Sequence, residues 1–451
     1  MSDGRPTRRS IFTGLLLILL GVFFLYGNLH PELRIWDLFE RYWPVILILW
    51  GIAKLIDYFA AQATGHTPPR TFTVGEFFLL LLLLLVAGTV AGIRELDAHP
   101  DIDWGDWPFG RTYSTAEELA PLPAPPHASV TVQVPRGDIE IQAEDIAEIR
   151  VLARKEVTTF RGRNAEEWLK RLAVSVQKVG ESYEVRAQQQ GERRGRIAAH
   201  LEVHLPKGAT VLASTGDGHV QVRGLGGKLA VEAARGGVAI SEAGGNVEVE
   251  VRGGEVHISA VQGNVRVKGR GGDIELTDIK GMAAIDGEFF GPITVSNARD
   301  GASFVSSRSN LTIGPLPGRL ELSGGRLKLF DVQGEVSLTT RDKDIALENI
   351  HGRIRVQNRN GPVEVRFSKP PRYPIEIANE SGHVILTLPE KSAFEINAQS
   401  RSGEIESAFS DPGLKLLREE RSPSLTGKAG GGGPSIQITN SYGTIELRKS
   451  R

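Results

Sequence analysis

Paired acidic residues at a fixed separation are the groups in this chain that could do acid–base chemistry. Glu232 and Glu250 lie eighteen positions apart, as do Glu255 and Asp273, and Glu335 stands eighteen before Arg353. On a chain coiled with that period each pair falls on adjacent turns. Two carboxylates placed so could hydrolyse a glycosidic bond, and an acid beside a base could cleave a polysaccharide. Lys, Arg and Asn occupy the same outward slots elsewhere, as expected of a solvated strand face, so no catalytic residue is assigned.

Metal and cofactor chemistry fares no better. The chain has no cysteine, which removes thiolate ligands, disulfides and cysteine nucleophiles. His204, His219, His257, His351 and His383 share no eighteen-residue register. Gly253-Gly254-Glu255 and Gly271-Gly272-Asp273 lack the second glycine and following aspartate of a calcium-roll turn. No glycine run precedes a Lys-Ser or Lys-Thr pair at a strand-to-helix turn, so no phosphate loop is present. No metal and no cofactor site is expected. Arg353, Arg355, Arg359, Arg366, Lys369 and Arg372 form a basic stretch that could meet anionic envelope polymers or headgroups, though a plain solvated surface is the simpler reading. A net charge of -1 gives no case for nucleic acid.

The elements that carry these residues are set by an internal repeat. From Val211 onward an apolar-any-apolar triplet recurs in nine-residue steps, from Val220/Val222 and Leu229/Val231 through Ile274/Leu276. One residue of slack at Gly291 and a two-residue deletion before Leu327 interrupt it, and it continues to Val363/Val365. Such alternation is a strand with one buried face. An extra apolar residue follows alternate strands, at Val261, Ile279, Val332 and Ile350. The unit is therefore eighteen residues, two unlike strands per coil. That predicts an all-β parallel β-solenoid with regular coils over 211–365 and irregular caps over 127–210 and 370–451. In the caps, 164–172 is expected as a helix, 411–434 as a long loop, and Ile436/Ile438 with Ile445/Leu447 as the end of the sheet.

Before the repeat lie three apolar runs, 11–29, 42–59 and 72–93, each about the ~20 residues needed to span a membrane. Residues 1–93 are thus expected as a cytoplasmic N-terminus and a three-helix transmembrane anchor. Arg5, Arg8 and Arg9 precede the first run, whereas Glu95, Asp97, Asp101, Asp103 and Asp106 follow the third. Positive residues favour the cytoplasm, so everything after residue 93 is placed outside. The acidic and proline-rich segment 94–126 is expected to be a juxtamembrane linker.

Gly14-Leu-Leu-Leu-Ile-Leu-Leu-Gly21-Val-Phe-Phe-Leu-Tyr-Gly-Asn28 and Tyr42-Trp43-Pro44-Val-Ile-Leu-Ile-Leu-Trp-Gly51 resemble the LiaF-type transmembrane region over about 10–93. Members of that family include membrane inhibitors of envelope-stress signalling. The repeat, with Thr215-Gly-Asp-Gly218, Ser402-Gly403-Glu-Ile and Tyr442-Gly443-Thr-Ile-Glu-Leu, resembles the adhesin family of bacterial envelope repeat domains over about 127–449. That resemblance implies a β-solenoid and little chemistry.

The expectation is a non-enzymatic protein of the bacterial cytoplasmic membrane. Its extracytoplasmic solenoid would meet an envelope protein or polysaccharide, and the lipid bilayer and a membrane signalling protein would be its other partners. In that role it would regulate or sense envelope stress. The alternatives are an adhesin or self-assembling scaffold and, from a different class, a polysaccharide-active β-helix enzyme.

Overall fold

The computed structural model describes residues 111–159, 165–189, 196–418 and 422–450. The anchor expected over 1–93 lies outside them. Two long sheets run along the stack, and the chain crosses from one to the other at each turn. The first sheet contains Val220–Arg223, Val238–Ala243, Val256–Val261, Ile274–Ile279 and Ile293–Ala298, each parallel to the next. The second contains Thr210–Thr215, Leu229–Ala233, Val247–Val251, Val265–Gly271 and Ala283–Phe289, also parallel. Partners such as Val220 and Val238, or Val247 and Val265, are eighteen apart, as the repeat requires. Inward aliphatic residues of both sheets merge into one core, while the alternate residues face solvent.

The extra apolar residue on alternate strands has a backbone cause. Glu242, Ala260, Asp278, Asn297, Asp331 and Asn349 all have φ between 52° and 58°. In a regular strand residues 258 and 261 would point to opposite faces. One left-handed residue between them forms a bulge, and Val261 turns inward, fully buried. Pairing skips the bulged residue, running Ser259 to Thr277 and then Val261 to Ile279.

The regular coil does not continue unbroken from 211 to 365. Ala302–Val305 turns back on Ser309–Ile313, which runs antiparallel to it and to Val336–Asp342. On the first sheet Leu316–Leu322 is antiparallel both to Ile293–Ala298 and to Arg326–Val332. One coil is therefore inverted, bounded by turns at 306–308 and 323–325. A reversed strand keeps the same apolar alternation, so the repeat passes through it unchanged. After the second turn parallel stacking resumes.

The ends depart further from expectation. The coil of Ser129–Val134 and Ile139–Glu144 lies inside the stack, between Ser182–Gln189 with Arg196–Pro206 and Thr210–Thr215 with Val220–Arg223. At the far end Ser435–Tyr442 inserts between Ile375–Ser381 and Phe394–Ser402, and Ile445–Ser450 inserts between Val384–Pro389 and Ile405–Ser407. The last coil in sequence is thus not the last in space. Within the expected 411–434 loop, Leu414–Leu417 and Ser424–Ala429 form an antiparallel hairpin against Phe394–Ser402.

Part of the expected linker is also strand. Arg111–Glu118 adds an edge to the first sheet against Glu148–Thr159, and Glu117 is ion-paired with the buried Lys155. Its side chains are almost all polar, which hid the strand from a hydrophobic pattern. The helix expected over 164–172 is present as Ala165–Arg171, with Glu166 and Glu167 in its first turn.

Candidate functional site

One register position on the second sheet changes character along the stack. In the N-terminal half it is filled by Thr215, Ala233, Val251, Gly269 and Gly287. In the C-terminal half the same row reads Ser309, Thr340, Asn358, Asn379, Asn440 and Ser400. These six residues are at most 6% exposed.

The three asparagines tie each turn to its neighbour. Asn358 Nδ2 donates to the carbonyls of Lys343 and Asn360, both at 3.0 Å. Asn379 donates to Gly361 and Gly382 at 3.3 and 3.4 Å, and Asn440 to Gly382 and Gly443 at 2.9 and 3.0 Å. Their other arms are not so served. The Oδ1 atoms of all three are buried, and among the described residues no donor reaches them.

These residues form the floor of a polar groove of about 790 Å³. Outward positions supply its lining, with Thr339, Gln357, Ala378, Thr439 and Gln399 in one row and Arg359, Glu380, Ser441 and Arg401 in another. Among the described residues no aromatic side chain and no large aliphatic one lines it. The groove offers hydroxyl, amide and guanidinium groups at the strand spacing of about 4.8 Å.

The basic stretch read from 353 to 372 does not assemble as a unit. Arg355 and Arg359 belong to the second sheet, where they pair with Glu376 at 3.0 Å and Glu380 at 3.2 Å. Arg366 belongs to the first sheet and pairs with Glu364, while Arg353, Lys369 and Arg372 lie between strands. The acidic pairs are plain surface neighbours. Glu232 and Glu250 are register partners on an exposed face, and Glu232 accepts a long 3.5 Å bond from Ser214. Glu255 with Asp273, and Glu335 with Arg353, flank stacked turns, and neither pair lies in the groove.

A second polar cluster lies near the N-terminal end, built around a histidine pair of which the spacing argument noticed only His204. His200 Nδ1 meets Asp138 at 3.0 Å with Glu156 at 3.6 Å from Nε2. His204 is bracketed by Glu144 at 2.8 Å and Glu202 at 3.1 Å. Burial pushes the His204 imidazole down, but hydrogen bonds and charge from Glu144 and Glu202 outweigh it and hold it above its ordinary value. Among the described residues no three His, Asp or Glu side chains converge as a metal site would require.

Sequence reasoning missed the groove because its spacings are irregular. Thr340 and Asn358 are eighteen apart, but Asn379 follows after twenty-one and Asn440 after sixty-one. Only the coil insertion at the C-terminal end puts Asn440 beside Asn379.

Residues 11–55 match the LiaI-LiaF-like transmembrane region, so the chain carries a membrane segment of that type. Among the described residues no helix is long and apolar enough to cross a membrane. Three solved structures are similar at low identity. A candidate cell adhesion protein of Clostridium sporogenes shares 10% identity at TM-score 0.17, covering 75% of this chain and 100% of its own. A candidate adhesin of Bacteroides fragilis shares 7% at 0.18, covering 75% and 97%. Another, of Parabacteroides distasonis, shares 10% at 0.21, covering 76% and 98%. At those scores they carry no argument about this chain. No curated protein matches it. The Toastrack DUF4097 model, by contrast, matches residues 127–448, from the first strand of the inner N-terminal coil to the last strand of the sheet, and the chain belongs to that family.

Proposed function

We propose that this protein is a non-enzymatic membrane-anchored component of the bacterial envelope. Its Toastrack solenoid stands outside the cytoplasmic membrane and binds an envelope protein or glycan, and through the anchor it regulates or senses envelope stress. The observation that carries this reading is one chain joining a LiaI-LiaF-like membrane region to a rigid solenoid with a polar groove. A groove lined by hydroxyls, amides and arginines suits recognition. Among the described residues its one carboxylate, Glu380, is ion-paired with Arg359.

Protease shaving of intact cells tests the location. The solenoid should be digested while the first ten residues stay protected, and protection of the solenoid would overturn the orientation. Deleting the gene tests the role, because an envelope-stress reporter that responds unchanged to cell-wall and membrane damage would count against signalling.

The second reading, an adhesin or scaffold that assembles end to end, draws on the sheet edges. Among the described residues Arg111–Glu118 pairs with a sheet neighbour on one side only, as does Leu414–Leu417, whose Leu417 is 55% exposed. Sedimentation of the detergent-solubilised protein separates the two readings, since a concentration-independent monomer excludes assembly.

A further inference from the structure

The inverted coil aligns residues that the sequence keeps apart. Ser309 pairs with Thr340 and Thr340 with Asn358, which sets Arg308 next to Arg341 and Arg341 next to Arg359. The row continues through Glu380 and Ser441 to Arg401. Arg308, Arg341, Arg359 and Arg401 are all exposed. Arg359 is neutralised by Glu380, and Glu288, which accepts from Ser307 N, also feels the charge of Arg308, whereas among the described residues no ion pair engages Arg341 or Arg401. Burial and the nearby charge of Arg308 both push the Lys343 ammonium down, as expected where cations are crowded. Five strand spacings separate Arg308 from Arg401, roughly 24 Å.

This cationic rim overlaps the polar groove at Arg359 and Arg401. We infer that rim and groove together bind an extended anionic polysaccharide, the arginines taking its acidic groups and the Thr, Gln and Ser rows its hydroxyls. The straight row suits a linear chain lying along the stack. Without aromatic platforms the groove is ill suited to single-stranded nucleic acid, and without apolar lining it does not fit an amphipathic helix. The inference rests on the extracytoplasmic reading above, which gives the groove access to envelope glycans.

The test uses the full chain in nanodiscs of zwitterionic lipid, with heparin and polygalacturonate as probes and neutral dextran as control. Both polyanions should bind, more weakly as salt rises. Arg341→Glu/Arg401→Glu should weaken binding at least ~10-fold, as loss of charge-assisted contacts does. Arg341→Lys/Arg401→Lys should keep most of it, and Arg223→Glu on the first sheet should leave it unchanged. Thermal melting of each variant confirms that it is folded. Equal binding of dextran, an undiminished double Glu variant, or tighter binding of anionic vesicles or single-stranded DNA would overturn the inference. Failure of every polyanion to bind would also overturn it while leaving the proposed function standing on a protein partner, whose location the shaving experiment decides separately.

Discussion

Two halves of the same sheet present the same register position with opposite chemistry. Ala233, Val251 and Gly269 close the N-terminal half with aliphatic or absent side chains, whereas Asn358, Asn379 and Asn440 close the C-terminal half with amides. The backbone problem is identical in both, a turn every coil whose carbonyls must be satisfied. In the N-terminal half main-chain bonds such as Arg252 N to Ala233 O serve the turns. An amide row is therefore not required by the fold. It brings buried amide oxygens, and the polar groove lies over the half that carries it.

The contrast can be broken most severely at Gly269. Its φ is +119°, and a Cβ there would run into the Val251 carbonyl. Gly269→Ala should cost about 3 kcal/mol from backbone strain and overlap together. A melting curve close to wild type would show that the N-terminal row tolerates side chains freely.

Asn379→Val converts one amide into the other half's chemistry. It should cost about 2 kcal/mol, because the Gly361 and Gly382 carbonyls lose a donor. No loss in denaturant titration would make the row dispensable for stability and leave binding as its only role. Lys343→Met tests the turn that ends the inverted coil, where Lys343 donates to the carbonyls of Ser323 and Gly324. The expected loss is about 1 kcal/mol.

The smallest effect belongs to the N-terminal half's own polar junction. The groups facing His204 are Glu144, Glu202 and its cross-strand partner Arg150, itself paired with Glu148. Its folded pKa is raised, so its contribution is complete below the ordinary histidine value of about 6.5 and is lost as pH rises through the raised value. The melting temperature should fall slightly from pH 6 to pH 8, and His204→Gln should flatten that slope. An unchanged slope in the variant would show that His204 does not couple to folding.

What could be read in the sequence follows from what leaves a periodic trace. Val261, Ile279, Val332 and Ile350 revealed the eighteen-residue coil, because burial at the bulge corner selects large aliphatics there. Ala243 and Ala298 fill equivalent corners, but their small side chains gave no signal. Strand direction leaves no trace in alternation, so Leu311/Ile313 and Leu320/Leu322 looked like any other turn although their coil is inverted. The deletion before Leu327, at the turn that ends the inverted coil, was its visible scar. The groove was hidden for another reason, since it depends on a coil inserted out of sequence order and on polar residues that hydropathy treats as surface.

Coil inversion is the claim on which the continuous rim depends, and the cysteine-free chain allows it to be tested by crosslinking. Asn310 and Thr339 are antiparallel partners on the second sheet. Their Cβ atoms should be about 4.5–5.5 Å apart, close enough for a disulfide. Uninterrupted parallel winding would instead set Asn310 beside Arg326, sixteen residues later once the two-residue deletion before Leu327 is counted, which lies on the first sheet. Under mild oxidation Asn310→Cys/Thr339→Cys should crosslink within the folded chain, and Asn310→Cys/Arg326→Cys should not. The reverse outcome would contradict the inverted coil and, with it, the alignment of Arg308 with Arg341.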